Sequence, residues 1–448
     1  MEKPIMSVSG IRGKVGEGLT FELLRAIAYI QTRLSNGKEV IIGRDTRASG
    51  VEIEKALCQG IRAGGGTPVS IGIATTPATC FATKYFKANS GIIITASHNP
   101  NPYNGYKAVH STGRLLNAQE CSLLYKEYYK GNYLSDAEFD KFAAEPARIE
   151  TEAVSAHISA ILKSVDVKLI KNAGIMVAVD AVNGAASGAI GELLNSLGVR
   201  HDCINCKSNG DFVHNPEPRP EYLGELQKLL KSKKEFWGGF AFDPDGDRLV
   251  AMGEKGEPIC EEMTLAMSMM NVLAKQKSDV ATNLSTSMVI DDVAKNFGVK
   301  VIRTKIGEAN VVEAIRENEL LLGGEGNGGV IYPKVSMVRD GLVATALIIE
   351  CMAKNNKKIT QLASQYKEYP IVKEKISTKD LDPQEILKKL TEIFAKEKID
   401  TQDGLKIIYN DGWVHIRPSN TEPIMRVYAE AVTKEKAQEL AKTVMDKI

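Results

Sequence analysis

The chain has 448 residues, too many for one ordinary hydrophobic core, so several domains are expected. Hydrophobic residues make up 43% and charged residues 25%, the balance of a soluble globular protein. A formal net charge of +1 leaves no global field, which excludes nucleic acid or a membrane surface as the main partner.

The opening residues Met1 to Ser7 lack the long apolar stretch of a signal peptide. No apolar run approaches membrane-spanning length; Leu342 to Ile349 comes closest, and Glu350 ends it. Seven cysteines are scattered along the chain, and Cys203 and Cys206 form a lone C-x-x-C with no second pair. Reduced cysteines in a cytoplasmic protein are therefore expected.

In chain order, Arg12 comes first, in Gly10-Ile11-Arg12-Gly13. The apolar run Val40 to Gly43 reads as a strand ending in Arg44, Asp45 and Arg47. Ile53 to Ala63 reads as a helix with Ile53, Leu57 and Ile61 on one face, and Val69 to Ile73 as the next strand. The strand Gly91 to Thr95 then runs into Thr95-Ala96-Ser97-His98-Asn99-Pro100 and a turn-rich segment ending at Gly105. A serine at a strand tip, held by a Pro/Asn/Gly turn, is a hydroxyl fixed in space and open to a substrate. His98 adjoins it, but neighbours at a strand end point apart, so His98 is an awkward base for Ser97. No G-x-S-x-G elbow is present. Lys107 follows at the start of the next segment; a solvated surface charge is the ordinary fate of such a lone Lys or Arg.

Ile175 to Asp180 reads as a strand and Ala185 to Leu197 as a helix rich in Gly and Ala. Phe240 to Phe242 is a strand that ends in Asp243-Pro244-Asp245-Gly246-Asp247-Arg248. Three carboxylates at i, i+2 and i+4 in a tight turn suit Mg²⁺ or Mn²⁺ and repel one another unless a cation offsets them. An EF-hand fits poorly, because Arg248 stands where that loop needs glycine. One rigid hydroxyl and one carboxylate cluster together suggest phosphoryl transfer with a divalent metal.

Gly324-Glu325-Gly326-Asn327-Gly328-Gly329 matches G-x-G-x-x-G but lies between the apolar segments Leu320 to Leu322 and Val330 to Tyr332. No helix opens after it, so it is not a dinucleotide site. It reads either as a loop presenting Glu325 and Asn327 to a polar ligand such as a sugar, or as a glycine-rich hairpin turn.

The last eighty or so residues have the character of a small separate domain. Asp382 and Pro383 open a helix with Glu385 placed to close a capping box. Trp413 to Ile416 and Met425 to Ala429 read as strands, and Thr433 caps a final helix. Between the two strands lies Arg417-Pro418-Ser419-Asn420-Thr421-Glu422, with Arg426 just beyond: charge-assisted donors and turn N–H groups suited to phosphate.

Strand-then-helix alternation argues for parallel or mixed sheets flanked by helices. The strand-then-polar-turn units at Ile41 to Asp45, Val177 to Asp180 and Phe240 to Asp243 suggest two or three similar α/β domains in series. Polar stretches near Glu145 to Glu152, Gly253 to Pro258 and Tyr366 to Pro370 are candidate seams.

Taken in this order, Gly10 to Gly13, Thr95 to Pro100, Asp243 to Arg248, the Glu325 loop and Arg417 to Pro423 resemble the α-D-phosphohexomutase superfamily. That superfamily contains phosphoglucomutases, phosphomannomutases and phosphoglucosamine mutases. The resemblance implies three related α/β domains with mixed sheets and a smaller C-terminal α+β domain around a central cleft. The expected domains are 1–150 with the phosphoserine loop, 151–256 with the metal loop, 257–366 with the sugar loop, and 367–448 with the phosphate loop.

It also implies that Ser97 carries a phosphoryl group, and that Asp243, Asp245 and Asp247 hold Mg²⁺ with an oxygen of that phosphoserine. Arg12, His98, Lys107 and Arg248 would line the reacting site. Lys305, Glu325 and Asn327 would bind the sugar. Arg417, Ser419, Asn420, Thr421 and Arg426 would grip the phosphate that is not reacting. The phosphoryl group would pass from serine to one oxygen of a hexose or hexosamine phosphate, giving a bisphosphate that turns end for end. Its other phosphate would then return to serine. Closure of the last domain would hold the intermediate and exclude water.

One departure stands out. Many members end the sugar loop in Ser-Gly-His; here the aligned residues are Asn327, Gly328 and Gly329. Lys107, His98 or Glu308 remains open as the proton acceptor. Loop variants of this kind point to glucosamine phosphate as substrate, with glucose or mannose phosphate as the alternative. A catalytically idle sugar-phosphate-binding regulator is the other class of reading, and intact Ser97, the three aspartates and Arg248 speak against it.

Overall fold

The computed structural model describes residues 3–379, 381–419 and 424–448. Its first sheet has seven strands, in the order Ile5–Ser7, Gly10–Lys14, Tyr103–His110, Ser90–Ile94, Glu39–Arg44, Thr67–Ile73 and Arg148–Ile149. Side chains alternate across it. Val40 and Ile42 face the helices Phe21–Leu34 and Gly50–Ala63, while Ile41 packs with Val69 against Ala78 and Ala82 of the helix Thr76–Tyr85. That last helix starts where the Thr75 side chain accepts the Ala78 N–H and Pro77 occupies the first turn.

The second sheet runs Leu249–Met252, Gly238–Phe242, Met176–Asp180, Arg200–Ile204. The third runs Val301–Thr304, Val280–Asn283, Leu322–Glu325, Gly329–Ile331. A common pattern underlies all three. Three parallel strands are followed by one antiparallel strand that pairs with the last of them. The link into that antiparallel strand carries the chemical groups each time: Ser97 in the first, the three aspartates in the second, Glu325 and Asn327 in the third. The repeat is thus one of topology; the three similar sequence segments do not mark it, since Val177 to Asp180 and Phe240 to Asp243 both lie in the second sheet.

The fourth sheet is antiparallel, in the order Ile371–Ser377, Ile424–Ala431, Gly412–Pro418, Leu405–Tyr409, Lys398–Asp400, with helices Pro383–Ile393 and Lys434–Met445. The architecture is therefore three α/β units with mixed sheets and a smaller α+β unit, as the sequence implies.

The units do not keep separate cores throughout. One continuous apolar cluster joins the second and third sheets, through Phe240, Phe242 and Leu249 on one side and Val280, Leu322 and Val330 on the other. The helices Glu262–Leu273 and Gly341–Asn355 form its middle and are buried along nearly their whole length. The run Leu342 to Ile349 belongs here, inside the protein core. No helix among the described residues is long and apolar enough to cross a membrane. The fourth unit, by contrast, has its own cluster around Leu390, Ile407, Val427 and Leu440.

Two local expectations are corrected. Cys203 and Cys206 are joined in a disulfide rather than reduced, because the turn after Arg200–Ile204 brings their Cα atoms to 6.2 Å. At Asp382 the carboxylate accepts the Gln384 N–H, giving an N-cap with Pro383 behind it rather than the reciprocal capping box.

Candidate active site

Ser97 sits in the link after Ser90–Ile94, only 1% exposed, with φ +51°. A left-handed backbone is costly for a residue with a Cβ and persists only where its surroundings fix it. Here they do. The Ser97 N–H donates to Thr95 Oγ1 at 2.9 Å, and Thr95 donates to Asp45 Oδ2 at 2.7 Å. Asp45 Oδ2 also accepts Arg47 Nε at 3.0 Å, and Arg47 Nη2 donates to the carbonyls of Ser97 (2.6 Å) and Asn99 (2.7 Å). Asp45 and Arg47 are thus buried braces, not solvated surface charges. Arg44, the third member of that run, pairs with Glu54 at 3.3 Å outside the site.

The left-handed turn also corrects the expectation for His98. Its Nδ1 lies 3.4 Å from Ser97 Oγ, because the backbone at Ser97 departs from strand geometry. Burial, with Arg248 and Arg12 nearby, pushes the imidazole down to about 3. At neutral pH it is a neutral ring and a weak proton acceptor.

The aspartate turn of the second unit meets this loop. Ser97 Oγ donates to Asp243 Oδ2 at 3.2 Å. Gly246, at φ +67°, closes the turn with its N–H on the Asp243 carbonyl, and a Cβ there would stand 2.7 Å from Thr75 Cγ2. Glycine is required for both reasons. Asp245 Oδ2 accepts from Thr76 Oγ1 at 2.6 Å and from Lys107 Nζ at 2.7 Å, so groups of the first unit fasten the second in place.

The three carboxylates have ligand atoms within 4.8 Å of one another and all are fully buried. Burial, then the other two aspartates, raises Asp243 well above the ordinary carboxylate range. Burial alone would also raise Asp245 and Asp247. Lys107 outweighs it for the first and Arg339 for the second, and both are held low. Asp245 Oδ1 and Asp247 Oδ1 are buried with no hydrogen-bond partner among the described residues. Buried carboxylate oxygens left without donors, beside a third carboxylate, fit a hard divalent cation.

Arg12 and Lys107 stand on neighbouring strands of the first sheet. Arg12 pairs in register with Gly105, and its Nη1 reaches Asn99 Oδ1 at 3.3 Å. Burial would lower Lys107, but Asp245 and Asp247 outweigh it, so it stays an ammonium. Arg248 lies 3.8 Å from Asp247 and 3.8 Å from Glu217.

The Gly-rich segment is a hairpin, with Glu325 opposite Gly329, and it still presents Glu325 and Asn327 to the cleft. The hairpin reading therefore holds, and the two side chains line the cleft. The Gly328 carbonyl accepts the Leu249 N–H at 3.0 Å, tying the hairpin to the exit of the aspartate turn. Arg417, Ser419 and Arg426 of the fourth unit line the opposite wall, Arg417 in register with Arg426. Asn420 and Thr421 lie outside the described residues. Lys305 is exposed; the cleft wall beside it is formed by Ile306, Gly307 and Glu308.

Arg12, Lys107, Arg248, Glu308, Glu325, Asn327, Arg339, Arg417, Ser419 and Arg426 border a cleft of about 380 Å³, enough for a sugar phosphate, and Lys107, Arg248 and Arg339 join it to the buried aspartates behind. Sequence reasoning missed two contributors. Thr76 and Arg339 come from segments with no motif of their own and reach the site only through packing. Glu308, raised by burial, was one of three candidates for proton acceptor.

Comparison with known proteins gives this arrangement a family. Four domain descriptions match in order. "Phosphoglucomutase/phosphomannomutase, alpha/beta/alpha domain I" matches residues 3–133, domain II 155–256 and domain III 261–369. The C-terminal domain of the same family matches 355–447. A "Phosphoglucomutase/phosphomannomutase" of Thermococcus kodakarensis is 37% identical, over 96% of this chain and 95% of its own. A "Probable phosphoglucosamine mutase" of Methanopyrus kandleri is 34% identical, over 98% and 96%. A crystal structure of a phosphoglucomutase/phosphomannomutase family protein from Burkholderia thailandensis superposes with a TM-score of 0.85 at 25% identity, covering 99% of this chain and 97% of its own.

Proposed function

The chain belongs to the phosphoglucomutase/phosphomannomutase family and is a phosphohexomutase, and we propose that it acts on glucosamine phosphate through a phosphoserine at Ser97 and Mg²⁺ at the aspartate turn. The observation that carries the serine assignment is its geometry: a buried hydroxyl in a braced left-handed turn, 3.2 Å from Asp243.

Asp243, Asp245, Asp247 and an oxygen on Ser97 would hold the metal. Bound there, Mg²⁺ would supply positive charge opposite the transferring phosphoryl group. Ser97 gives its phosphoryl group to one sugar oxygen, and the bisphosphate turns and returns its other phosphate to Ser97. Arg12, Arg248 and Lys107 offset charge on the moving group. Lys107 is held as an ammonium and His98 is a weak base, so neither suits proton removal. Glu308, a cleft carboxylate whose proton affinity burial raises, is the proton acceptor of this reading. Glu325 and Asn327 receive sugar hydroxyls. Arg417, Ser419, Asn420, Thr421 and Arg426 hold the phosphate at rest.

Glucosamine phosphate is favoured by the relative named as a probable phosphoglucosamine mutase. The 37%-identical relative supports glucose or mannose phosphate as the second reading. Turnover of glucose, mannose, glucosamine and N-acetylglucosamine 1-phosphates, measured side by side, separates them. The highest kcat/KM is expected for glucosamine 1-phosphate, and a clear preference for mannose or glucose overturns the substrate assignment. Ser97→Ala should be inactive on all four.

A further inference from the structure

Arg339 is a buried guanidinium that touches three of the cleft's carboxylates from three different elements. Its Nη2 donates to Asp247 Oδ2 at 2.6 Å, in the aspartate turn. Its Nη1 donates to Glu325 Oε2 at 2.7 Å, in the glycine-rich hairpin. Its Nε lies 3.5 Å from Glu308 Oε2, while its backbone N–H donates to Glu308 Oε1 at 2.7 Å. Nε makes no hydrogen bond, so the two Nη groups fasten Asp247 and Glu325 while the charge and the backbone N–H hold Glu308. A planar fork holds its two donors at a fixed spacing, which the single ammonium of a lysine does not. The consequence for each partner is specific. Asp247 is held by Oδ2, while its Oδ1 accepts no hydrogen bond and lies 3.8 Å from Arg248 Nε. Glu325 is fixed from both sides, since Asn283 donates to its Oε1 at 2.9 Å.

Gly329 explains how the arginine gets there. A Cβ built on Gly329 would stand 2.2 Å from Arg339 Cδ and 2.9 Å from its Cγ. Its backbone is not in the left-handed region, so the glycine serves space, not conformation. The arginine stem fills the volume that a side chain at 329 would take, and the two exclude each other.

We propose that Arg339 is the positioning residue that aligns Glu325, Glu308 and Asp247 across the cleft, and that Gly329 is glycine to admit it. This rests on the phosphohexomutase reading of the same site. The sugar must meet the same acceptors in both of its orientations. A carboxylate pair free to swing would receive one orientation well and the other poorly, and the cost would fall on the reacting geometry.

The test is a double-mutant cycle of Gly329→Ala, Arg339→Met and the pair, with Arg339→Lys and Ser97→Ala alongside. Readouts are kcat, KM, the thermal midpoint of the metal-free protein and phosphate uptake by Ser97 from glucose 1,6-bisphosphate. Each single variant should lower kcat by about 10²-fold, the scale of a misplaced reacting group, with KM changed less. The double variant should be no worse than the poorer single, because both act on one element. Arg339→Lys should recover thermal stability without recovering kcat. Multiplicative effects in the double variant, or a lysine variant that restores both, would overturn the proposal. If Arg339→Met does not fold, Gly329→Ala decides: wild-type kcat in that variant refutes the positioning role. Activity in Ser97→Ala would instead sink the phosphoserine mechanism, whatever Arg339 does.

Discussion

The Ser97–aspartate centre and the fourth unit differ in how they are held. At the centre every position is over-determined. Ser97, Asp243, Asp245 and Asp247 are buried, Arg47 braces the Ser97 loop within the first unit, and Thr76 and Lys107 tie that unit to the aspartate turn of the second. Behind it, the second and third units share one apolar cluster. The fourth unit keeps a core to itself and meets the third through polar contacts. His415 Nδ1 faces Ser285 Oγ at 2.8 Å, Glu430 accepts the Met288 N–H at 2.8 Å, Asp403 accepts the Ile306 N–H at 2.8 Å, and Lys406 donates to the Leu284 carbonyl. Hydrogen bonds across a polar seam can be exchanged at little cost, whereas splitting a shared core exposes apolar surface. The second and third units are therefore joined by a shared core, and the wall with Arg417 is joined to them by hydrogen bonds of buried polar groups.

The largest effect should come from the Ser97–aspartate centre. Removing the metal with chelator, or replacing Asp245 with Asn, should lower kcat by on the order of 10³-fold. Chelated wild-type protein should recover when Mg²⁺ is restored, and the variant should not. Full activity in excess chelator contradicts the role given to the aspartates.

The polar seam should instead show itself in pH dependence. His415 is buried, with Lys406 nearby, and these push its pKa down to about 4 despite the Asp403 carbonyl at 2.7 Å from Nε2. Its folded pKa is below the unfolded value, so the unfolded state binds the extra proton first. Its stabilisation is complete above about pH 6.5 and lost as pH falls toward 4, by roughly 3 kcal/mol in all. Thermal unfolding from pH 7 to pH 4.5 should show this loss, and His415→Gln should flatten its share. An unchanged slope in that variant would remove His415 from the account.

The smallest effect belongs to the wall formed by the fourth unit. Arg417→Ala removes one charge-assisted donor, so KM should rise by about ten- to a hundredfold for every substrate while Ser97 still takes up phosphate. Unchanged kinetics with lowered stability would make the loop structural.

The same contrast explains what could be read in the sequence. Ser97 and the aspartate turn are legible because each is a local device: an apolar strand, then turn residues around the reactive group. The repeat of topology was not legible: of the three strand-then-polar-turn segments, Val177 to Asp180 and Phe240 to Asp243 lie in one unit and none lies in the third. Asp45 and Arg47 stood next to a strand but looked like surface charges, since their burial depends on a loop fifty residues away. Thr76 and Arg339 carry no pattern at all; they matter through contacts of about 170 and 90 residues' separation. The His98 contact needed the left-handed turn at Ser97, which alternation along a strand does not foresee. Nor does strand and helix periodicity reveal that two units share a core, since apolar stripes facing a neighbour look like stripes facing their own sheet.

Everything proposed for the site depends on Ser97 carrying the phosphoryl group. Wild-type protein incubated with glucose 1,6-bisphosphate and Mg²⁺, digested and mapped by mass spectrometry, should carry phosphate on the peptide containing Ser97. Fragmentation should place it on that residue, and chase with a hexose 6-phosphate should remove it. Turnover at full rate with phosphate on another residue, or with Ser97 never modified, would contradict the account.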